Sequence, residues 1–202
     1  MRIAGVFLGL VALAGCTTSG SVGNVSTYAA TEARLDVCSG YDCPIRETFR
    51  LTATDQQRLT AIMKPGAADA AAERVAVRRA IAAMETMARR ALRYRRDRGE
   101  SYQRYSGKRG HMDCVDESQN TRGYLTHLYR SGLLRHHVPQ RGYAERGIFV
   151  GRFHPHKSAV MRDSAGTDWT VDSWKADDGE PPEVMRLSAW RRDRAPASAY
   201  RP

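Results

Sequence analysis

The sequence predicts an α+β fold in which helices come first and an antiparallel sheet follows. Apolar residues recur at helical spacing in residues 67–96 and again in the segment after Asp113. After Gly132 the chain changes to short runs rich in Val, Ile, Phe and Trp, which Pro and Gly residues separate. A block of helices followed by a block of strands is typical of α+β architecture, whereas α/β folds alternate the two.

The first fifteen residues have the features of a processing signal. Arg2 supplies a positive charge, and residues 3–13 form an apolar run too short to span a bilayer of about 30 Å. The run ends in Leu-Ala-Gly-Cys at residues 13–16, which resembles the lipobox of bacterial lipoproteins. The resemblance implies cleavage before Cys16, lipidation of that cysteine and, because Thr17 follows it, sorting to the outer membrane. The alternative is an ordinary secretory signal in which Cys16 is incidental.

The rest of the chain predicts one domain with two flexible ends. Residues 16–31 are rich in Ser, Thr and Gly and predict a flexible tether. Residues 191–202 predict a disordered basic tail. Residues 32–190 then form one domain of roughly 160 residues, which is enough for a single hydrophobic core.

The chain is strongly basic, with a net charge of +10 and an isoelectric point near 9.8. In an exported lipoprotein, anionic lipid headgroups, lipopolysaccharide or an acidic substrate are the expected counterparts. Residues 89–109 combine many Arg residues with Tyr94, Tyr102 and Tyr105, a pattern that also occurs in nucleic-acid-binding proteins. We favour a solvated basic helix face there and expect no nucleic-acid partner.

The four cysteines divide into three groups. Cys16 is the lipidation site that the lipobox resemblance implies. Cys38 and Cys43 flank a turn-forming segment, and a local disulfide is favoured over a metal pair because no further His or Cys ligands lie nearby. Cys114 is then left as an unpaired thiol.

Two helices are predicted before Cys114. Residues 54–63 form a short helix that Pro65 stops, and residues 67–96 form a long helix that ends at Gly99. The apolar stripe of the long helix consists of Val75, Ile81, Met84, Ala88 and Leu92. A stripe of this kind belongs to the core and gives no sign of a cofactor.

Cys114 is predicted in the first turn of a third helix. Asp113 is a good N-cap residue, Asp116 stands three positions later as in a capping box, and Gly132 is suited to the C-terminal end. A thiol at this place faces the positive end of the helix dipole. We therefore expect its pKa to fall toward neutrality, which would make Cys114 nucleophilic.

Four antiparallel strands are predicted after Gly132, and they cover residues 133–138, 147–153, 156–161 and 169–174. A three-residue loop that pairs Arg162 with Gly166 would place His156 directly opposite Asp172. Directly opposed residues share a face of the sheet. The carboxylate could then fix one imidazole nitrogen and leave the other for a thiolate.

Three short segments resemble the motifs of bacterial transglutaminase-like cysteine peptidases. They are Asp-Cys-Val-Asp at residues 113–116, His-Lys-Ser-Ala-Val at 156–160 and Trp-Thr-Val-Asp at 169–172. The resemblance spans about a third of the chain. It implies a transglutaminase-like (papain-like) fold and a triad of Cys114, His156 and Asp172.

The resemblance also implies a chemistry, in which a thioacyl-enzyme forms on a protein amide in the cell envelope without a metal or cofactor. The Cys114 backbone N–H would provide one oxyanion donor, and Gln103 or Tyr105 the other. His154 is the alternative base, although only His156 has an opposed Asp.

The remaining histidines, His111, His127, His136 and His137, match no common metal-ligand spacing and are interpreted as surface residues. A second function is also open, a non-catalytic envelope lipoprotein of the same fold that binds a protein or glycan. Met112 stands where the family commonly has Gly, and this favours the second function.

Overall fold

The computed structural model describes residues 33–101, 106–150 and 152–193, without the side chains of residues 148–150 and 152–154. Cys16, the signal segment, the predicted tether, Gln103 and Tyr105 lie outside the described residues. The described part is a mixed α+β structure, as predicted. None of its helices is long and apolar enough to cross a membrane.

A β-hairpin that was not predicted precedes the helices. Strand β1 (Arg34–Ser39) pairs with β2 (Ile45–Arg50) in antiparallel register from Arg34↔Arg50 to Ser39↔Ile45. Val37 and Phe49 are buried in the core, whereas Asp36 and Thr48, which alternate with them, are exposed. The predicted order of helices first is therefore wrong for this hairpin, since these short strands are rich in charged residues.

The predicted disulfide between Cys38 and Cys43 is confirmed, and it closes the loop of this hairpin. Four consecutive residues of the loop have positive φ: 92° at Gly40, 71° at Tyr41, 64° at Asp42 and 56° at Cys43. Three of the four carry a side chain, for which this conformation is unfavourable. Contacts to the rest of the molecule must therefore hold the loop in place.

Helix α1 (Ala53–Met63) begins at Thr52, whose side chain forms a capping box with Asp55. A 3-10 turn at Lys64–Ala67 follows and contains Pro65. Helix α2 (Ala70–Leu92) is shorter than predicted because the Asp69 side chain caps its start. Its end comes at Arg93, which adopts a left-handed conformation, well before Gly99.

Helix α3 (Cys114–Arg130) has the predicted capping box. The Asp113 side chain accepts hydrogen bonds from the backbone N–H groups of Val115 and Asp116. In return, the Asp116 side chain accepts a hydrogen bond from the backbone N–H of Asp113. Gly132 follows the helix with a φ of 70°, a conformation that glycine adopts without strain. Cys114 is thus the first residue of this helix.

The second half of the chain forms an antiparallel sheet built around one long strand. The elements are β3 (His137–Pro139), β4 (Ala144–Val150), β5 (Arg152–Asp163), β6 (Asp168–Asp172), β7 (Glu183–Arg186) and α4 (Leu187–Arg192). The strand order is β3-β5-β6-β7, and β4 pairs with the first half of β5. Neither β7 nor α4 was predicted. Helix α4 ends at Arg192, whereas the disordered tail was expected to begin at residue 191.

The β5–β6 register differs from the predicted one by two residues. Asp163 rather than Arg162 closes the three-residue loop, so that Ala159 pairs with Val171 and Arg162 with Asp168. The physical reason is Gly166, which takes the left-handed position at the end of the loop with a φ of 80°. A shift of two residues keeps each side chain on its predicted face, whereas a shift of one would have reversed it.

The core lies between α2, α3 and the inner face of the sheet. Its buried members include Ile81, Met84 and Ala88, as the predicted stripe of α2 requires. Val75 was also predicted in the stripe, but it is 51% exposed. Val77 is buried instead, because it lies four residues before Ile81 and so on the same face of α2, whereas Val75 lies six residues before Ile81.

Candidate active site

The thiol of Cys114 lies against strand β5. Its Sγ is 3.8 Å from the backbone oxygen of Pro155 and accepts a hydrogen bond from the backbone N–H of Lys157. These two groups flank His156 in the chain. Cys114 is partly buried, and it is the only free cysteine among the described residues. The helix N-terminus therefore brings the thiol to the segment that carries the histidine.

His156 and Asp172 form a buried hydrogen-bonded pair. The Nε2 to Oδ2 distance is 2.7 Å, and the side chains are 0% and 1% exposed. Their strands place them as diagonal rather than directly opposed neighbours, because of the shifted register. Diagonal side chains on one face of a sheet can still make contact when one of them is long.

Trp190 donates a second hydrogen bond to the same carboxylate oxygen. Its indole Nε1 is 2.8 Å from Oδ2 of Asp172. The indole ring also packs beside His156, at a centroid distance of 5.4 Å, and Trp174 packs at 4.7 Å. Two tryptophans thus surround the imidazole and exclude water from the His156–Asp172 pair.

Arg146 holds Trp190 in this position. Its guanidinium lies over the Trp190 ring at 4.5 Å and donates hydrogen bonds of 2.6 Å to the backbone oxygens of Trp190 and Asp193. Arg146 is also the direct partner of His156 in the β4–β5 register. Neither Trp190 nor Arg146 was predicted as a site residue, since no local pattern links α4 to a strand forty residues earlier.

The second imidazole nitrogen is available for a proton. Nδ1 of His156 is buried and has no hydrogen-bond partner among the described residues. Nε2 donates to Asp172 when the ring is neutral, so Nδ1 then carries the lone pair. A histidine arranged in this way can accept a proton from a nearby thiol.

The environment of Cys114 opposes a free thiolate. Burial, together with the carboxylates of Asp113 and Asp172, raises the pKa of the Cys114 thiol to about 12, although the Lys157 N–H acts in the opposite direction. The pKa near neutrality that we expected from the helix N-terminus is therefore wrong. Desolvation of the thiolate outweighs the helix dipole here. A reactive thiolate at Cys114 requires a positive partner.

Asp116 fixes the disulfide loop onto the start of α3. Its two carboxylate oxygens each accept a hydrogen bond of 2.8 Å, one from the N–H of Tyr41 and one from the N–H of Cys43. The Asp42 N–H donates to Asp113 at 3.2 Å. Burial and the nearby charge of Asp113 together raise the pKa of Asp116 to about 6, although the backbone N–H groups that it accepts act in the opposite direction. These contacts give Asp116 a structural role beside the thiol.

The other candidate residues separate into two groups. Gln103, Tyr105 and the side chain of His154 lie outside the described residues, so the second oxyanion donor and the alternative base stay predictions. His137 is not a surface residue, because it is 1% exposed and lies 2.8 Å from Glu73. His137 is the first residue of β3, and no pattern in the sequence indicates that a buried carboxylate would contact it.

Among the described residues, one group of three potential metal ligands has its ligand atoms close together, namely Cys38, Cys43 and Asp116. The two sulfurs of this group are joined in the disulfide and cannot act as thiolate ligands.

The comparisons with known proteins identify no relative. No protein-family model matches the chain, and no curated protein or solved structure matches it either.

Proposed function

We propose that this protein is an envelope-anchored, transglutaminase-like cysteine peptidase or amidase that cleaves protein amides through a thioacyl-enzyme. The observation that carries the proposal is the buried His156–Asp172 hydrogen bond, with Nδ1 left unpartnered, on the strand against which Cys114 lies. The motif resemblance supports the same triad. The lipobox resemblance at Cys16 supports an anchor at the periplasmic face of the outer membrane.

The first half of the reaction forms the thioacyl-enzyme. The Sγ proton of Cys114 moves to Nδ1 of His156, and the sulfur attacks the amide carbonyl carbon to give a tetrahedral intermediate. The C–N bond then breaks as His156 returns its proton to the leaving amine. The Cys114 backbone N–H is one expected donor to the oxyanion.

The second half releases the acid. Water attacks the thioester while His156 takes one of its protons, and that proton returns to the sulfur as the C–S bond breaks. Asp172 accepts the Nε2 hydrogen bond throughout and stabilises the imidazolium. Because the thiol pKa is raised, the thiolate can persist only beside the imidazolium that the proton transfer to His156 creates.

A second candidate is a non-catalytic envelope lipoprotein that binds a protein or glycan. The observation in its favour is the same raised pKa of about 12, which would keep Cys114 as an inert thiol if no proton passed to His156. Met112 is buried immediately before the Asp-Cys pair, and it favours the same reading. A binding protein has no need of a reactive thiol, so thiol reactivity distinguishes the two functions.

The test is alkylation of the full chain by iodoacetamide from pH 6 to pH 9, with the disulfide oxidised and the modified cysteine identified by peptide mass. We expect fast modification of Cys114 at pH 6 to 7, slowed about 100-fold or more in His156→Asn. His127→Asn is the control, since His127 is partly buried but lies near the far end of α3. Its modification rate should equal that of the wild type.

Slow modification that rises only in alkaline solution, equally in all three proteins, would reject the enzyme and favour the binding lipoprotein. Cleavage itself is tested by incubating outer-membrane proteins with the wild type or Cys114→Ser. New protein N-termini should form only with the wild type.

A further inference from the structure

A basic groove runs along α3 on a different face from Cys114. Its volume is about 840 Å³, and its walls are the β1–β2 hairpin, α3 and the segment 138–141. The α3 residues that line it, from Gln119 to Arg130, recur at spacings of three and four and so share one face of the helix. Cys114 lies roughly 120° around the helix from this face, toward β5. The groove is therefore separate from the candidate active site.

The charge of the groove is strongly unbalanced. Five arginines line it, Arg34, Arg46, Arg122, Arg130 and Arg141, against one carboxylate, Asp36. Asp36 already accepts the Thr48 hydroxyl at 2.7 Å and lies 4.0 Å from Arg46. Little of its charge is left to neutralise the other arginines.

Three of the arginines have no partner in the described part of the protein. Arg34, Arg130 and Arg141 are exposed, and their side chains form no hydrogen bond or ion pair with a described residue. By contrast, Arg122 donates to the backbone oxygen of Arg141 at 2.7 Å. Guanidinium groups that line one groove and lack carboxylate partners favour a ligand that carries several carboxylates or phosphates.

The groove also exposes apolar surface. Tyr129 is 46% exposed and Val138 is 47% exposed, and both line the groove. Val75 is the one other large apolar side chain with comparable exposure among the described residues. Two of the three exposed large apolar side chains, Tyr129 and Val138, therefore line the same groove as the unpartnered arginines.

We propose that this groove binds an extended acidic peptide segment that carries apolar side chains between its carboxylates. The α3 wall is about 16 Å long from Gln119 to Arg130, which matches roughly five residues of extended chain. Such a peptide can pair its carboxylates with Arg34, Arg130 and Arg141 and bury its apolar groups on Tyr129 and Val138. A bilayer surface presents a plane of headgroups, which cannot enter a groove with walls. Binding here requires no chemistry at Cys114 and so extends beyond the proposed function.

The test is fluorescence anisotropy with the full chain in a non-ionic detergent. The probe is a labelled ten-residue peptide in which Asp and Leu alternate, and a Lys-Leu peptide is its reference. We expect the acidic probe to bind, the basic one not to bind, and affinity to fall as salt rises. The same result is expected in Cys114→Ala.

The combined substitution Arg34→Gln, Arg130→Gln and Arg141→Gln should weaken binding of the acidic probe at least tenfold. The matched control is Arg58→Gln, Arg79→Gln and Arg95→Gln, which removes three exposed arginines outside the groove and should change affinity less than twofold. Equal weakening in both variants would show attraction by net charge alone and overturn the proposal. A second result would also overturn it. In that result the wild type does not bind the acidic peptide but binds mixed micelles that contain phosphatidylglycerol, and the groove variant loses the binding to micelles.

Discussion

His156 and Asp172 are diagonal neighbours across strands β5 and β6, and Nε2 of the histidine lies 2.7 Å from Oδ2 of the aspartate. Continuing the observed register places Ser158, not His156, directly opposite Asp172. The contact exists because the register shift is even, which keeps both side chains on one face, and because Trp190 donates to the same oxygen from α4. Both donors thus converge on one oxygen of the pair.

This convergence predicts that Asn and Ala at position 172 behave differently. In Asp172→Asn the amide oxygen can take the place of Oδ2 and accept both donors, while the charge that stabilises an imidazolium is lost. We expect the alkylation rate of Cys114 to fall about 10-fold in Asp172→Asn and at least about 100-fold in Asp172→Ala. The rates are measured at pH 6.5 in proteins whose circular dichroism matches the wild type. Equal losses in the two variants would contradict a role for the shared acceptor.

Trp190 is predicted to position the His156–Asp172 pair through its indole N–H. Trp190→Phe keeps an aromatic ring but removes the donor, so we expect a loss of about 1–2 kcal/mol in the free energy of unfolding. Alkylation of Cys114 should slow several-fold and its dependence on pH should change, which packing loss alone would not cause. The measurements are denaturant unfolding and the pH profile of alkylation.

Trp169→Phe is the matched control for this substitution. Trp169 also donates its indole N–H to a carboxylate, Asp163, at 2.9 Å, but at the hairpin turn. The Trp169→Phe variant should be less stable than the wild type, but its Cys114 should react at the wild-type rate. The same change of pH profile in both variants would contradict the positioning role.

Buried carboxyl groups between α2, α3 and the loop after β6 predict a loss of stability as pH rises. Burial and the nearby Asp178 together raise the pKa of Glu85 to about 8, while the Gly179 N–H acts against this rise. The same burial raises the pKa of Asp97 to about 7. The folded state therefore holds protons that the unfolded state has released, so stability falls between about pH 4.5 and pH 8.

Glu85→Gln removes this penalty. We expect its melting temperature to exceed that of the wild type at pH 8, with a stability gain on the order of a few kcal/mol, and the difference to shrink toward pH 5. Glu145→Gln makes the same charge change on an exposed side chain and should show no such trend. If the Glu85→Gln protein were less stable than the wild type at pH 8, the conclusion that the folded protein raises the pKa of Glu85 would be refuted.

Two glycines predict opposite effects of the same substitution. A Cβ atom at Gly166 or at Gly123 would meet no atom within 4 Å, so neither change causes a clash. Gly166 has a φ of 80°, and Gly166→Ala should therefore cost about 1–2 kcal/mol. Gly123 lies inside α3, and Gly123→Ala should stabilise the protein by about 1 kcal/mol. Urea unfolding of both variants checks the pair, and a neutral Gly166→Ala would refute the loop conformation that sets the β5–β6 register.

Local sequence determined the features whose cause lies within a few residues. The capping box of Asp113 and Asp116, the position of Cys114 at the start of α3, and the disulfide of Cys38 and Cys43 each depend on neighbours in the chain. The three-residue hairpin loop after β5 was predicted with the correct length. Its position was wrong by one residue, because the choice depended on which residue takes the left-handed conformation.

Tertiary structure decided what depends on groups far apart in the chain. Burial raised the pKa of Cys114, although the helix N-terminus alone would lower it. Trp190 reached Asp172 from an unpredicted helix, and Asp116 received two N–H groups from a loop more than seventy residues earlier. Sequence periodicity reports which face of an element is apolar, but desolvation and long-range donors depend on what packs against that face. The sequence therefore determined which residues could form the site, and packing decided their chemistry.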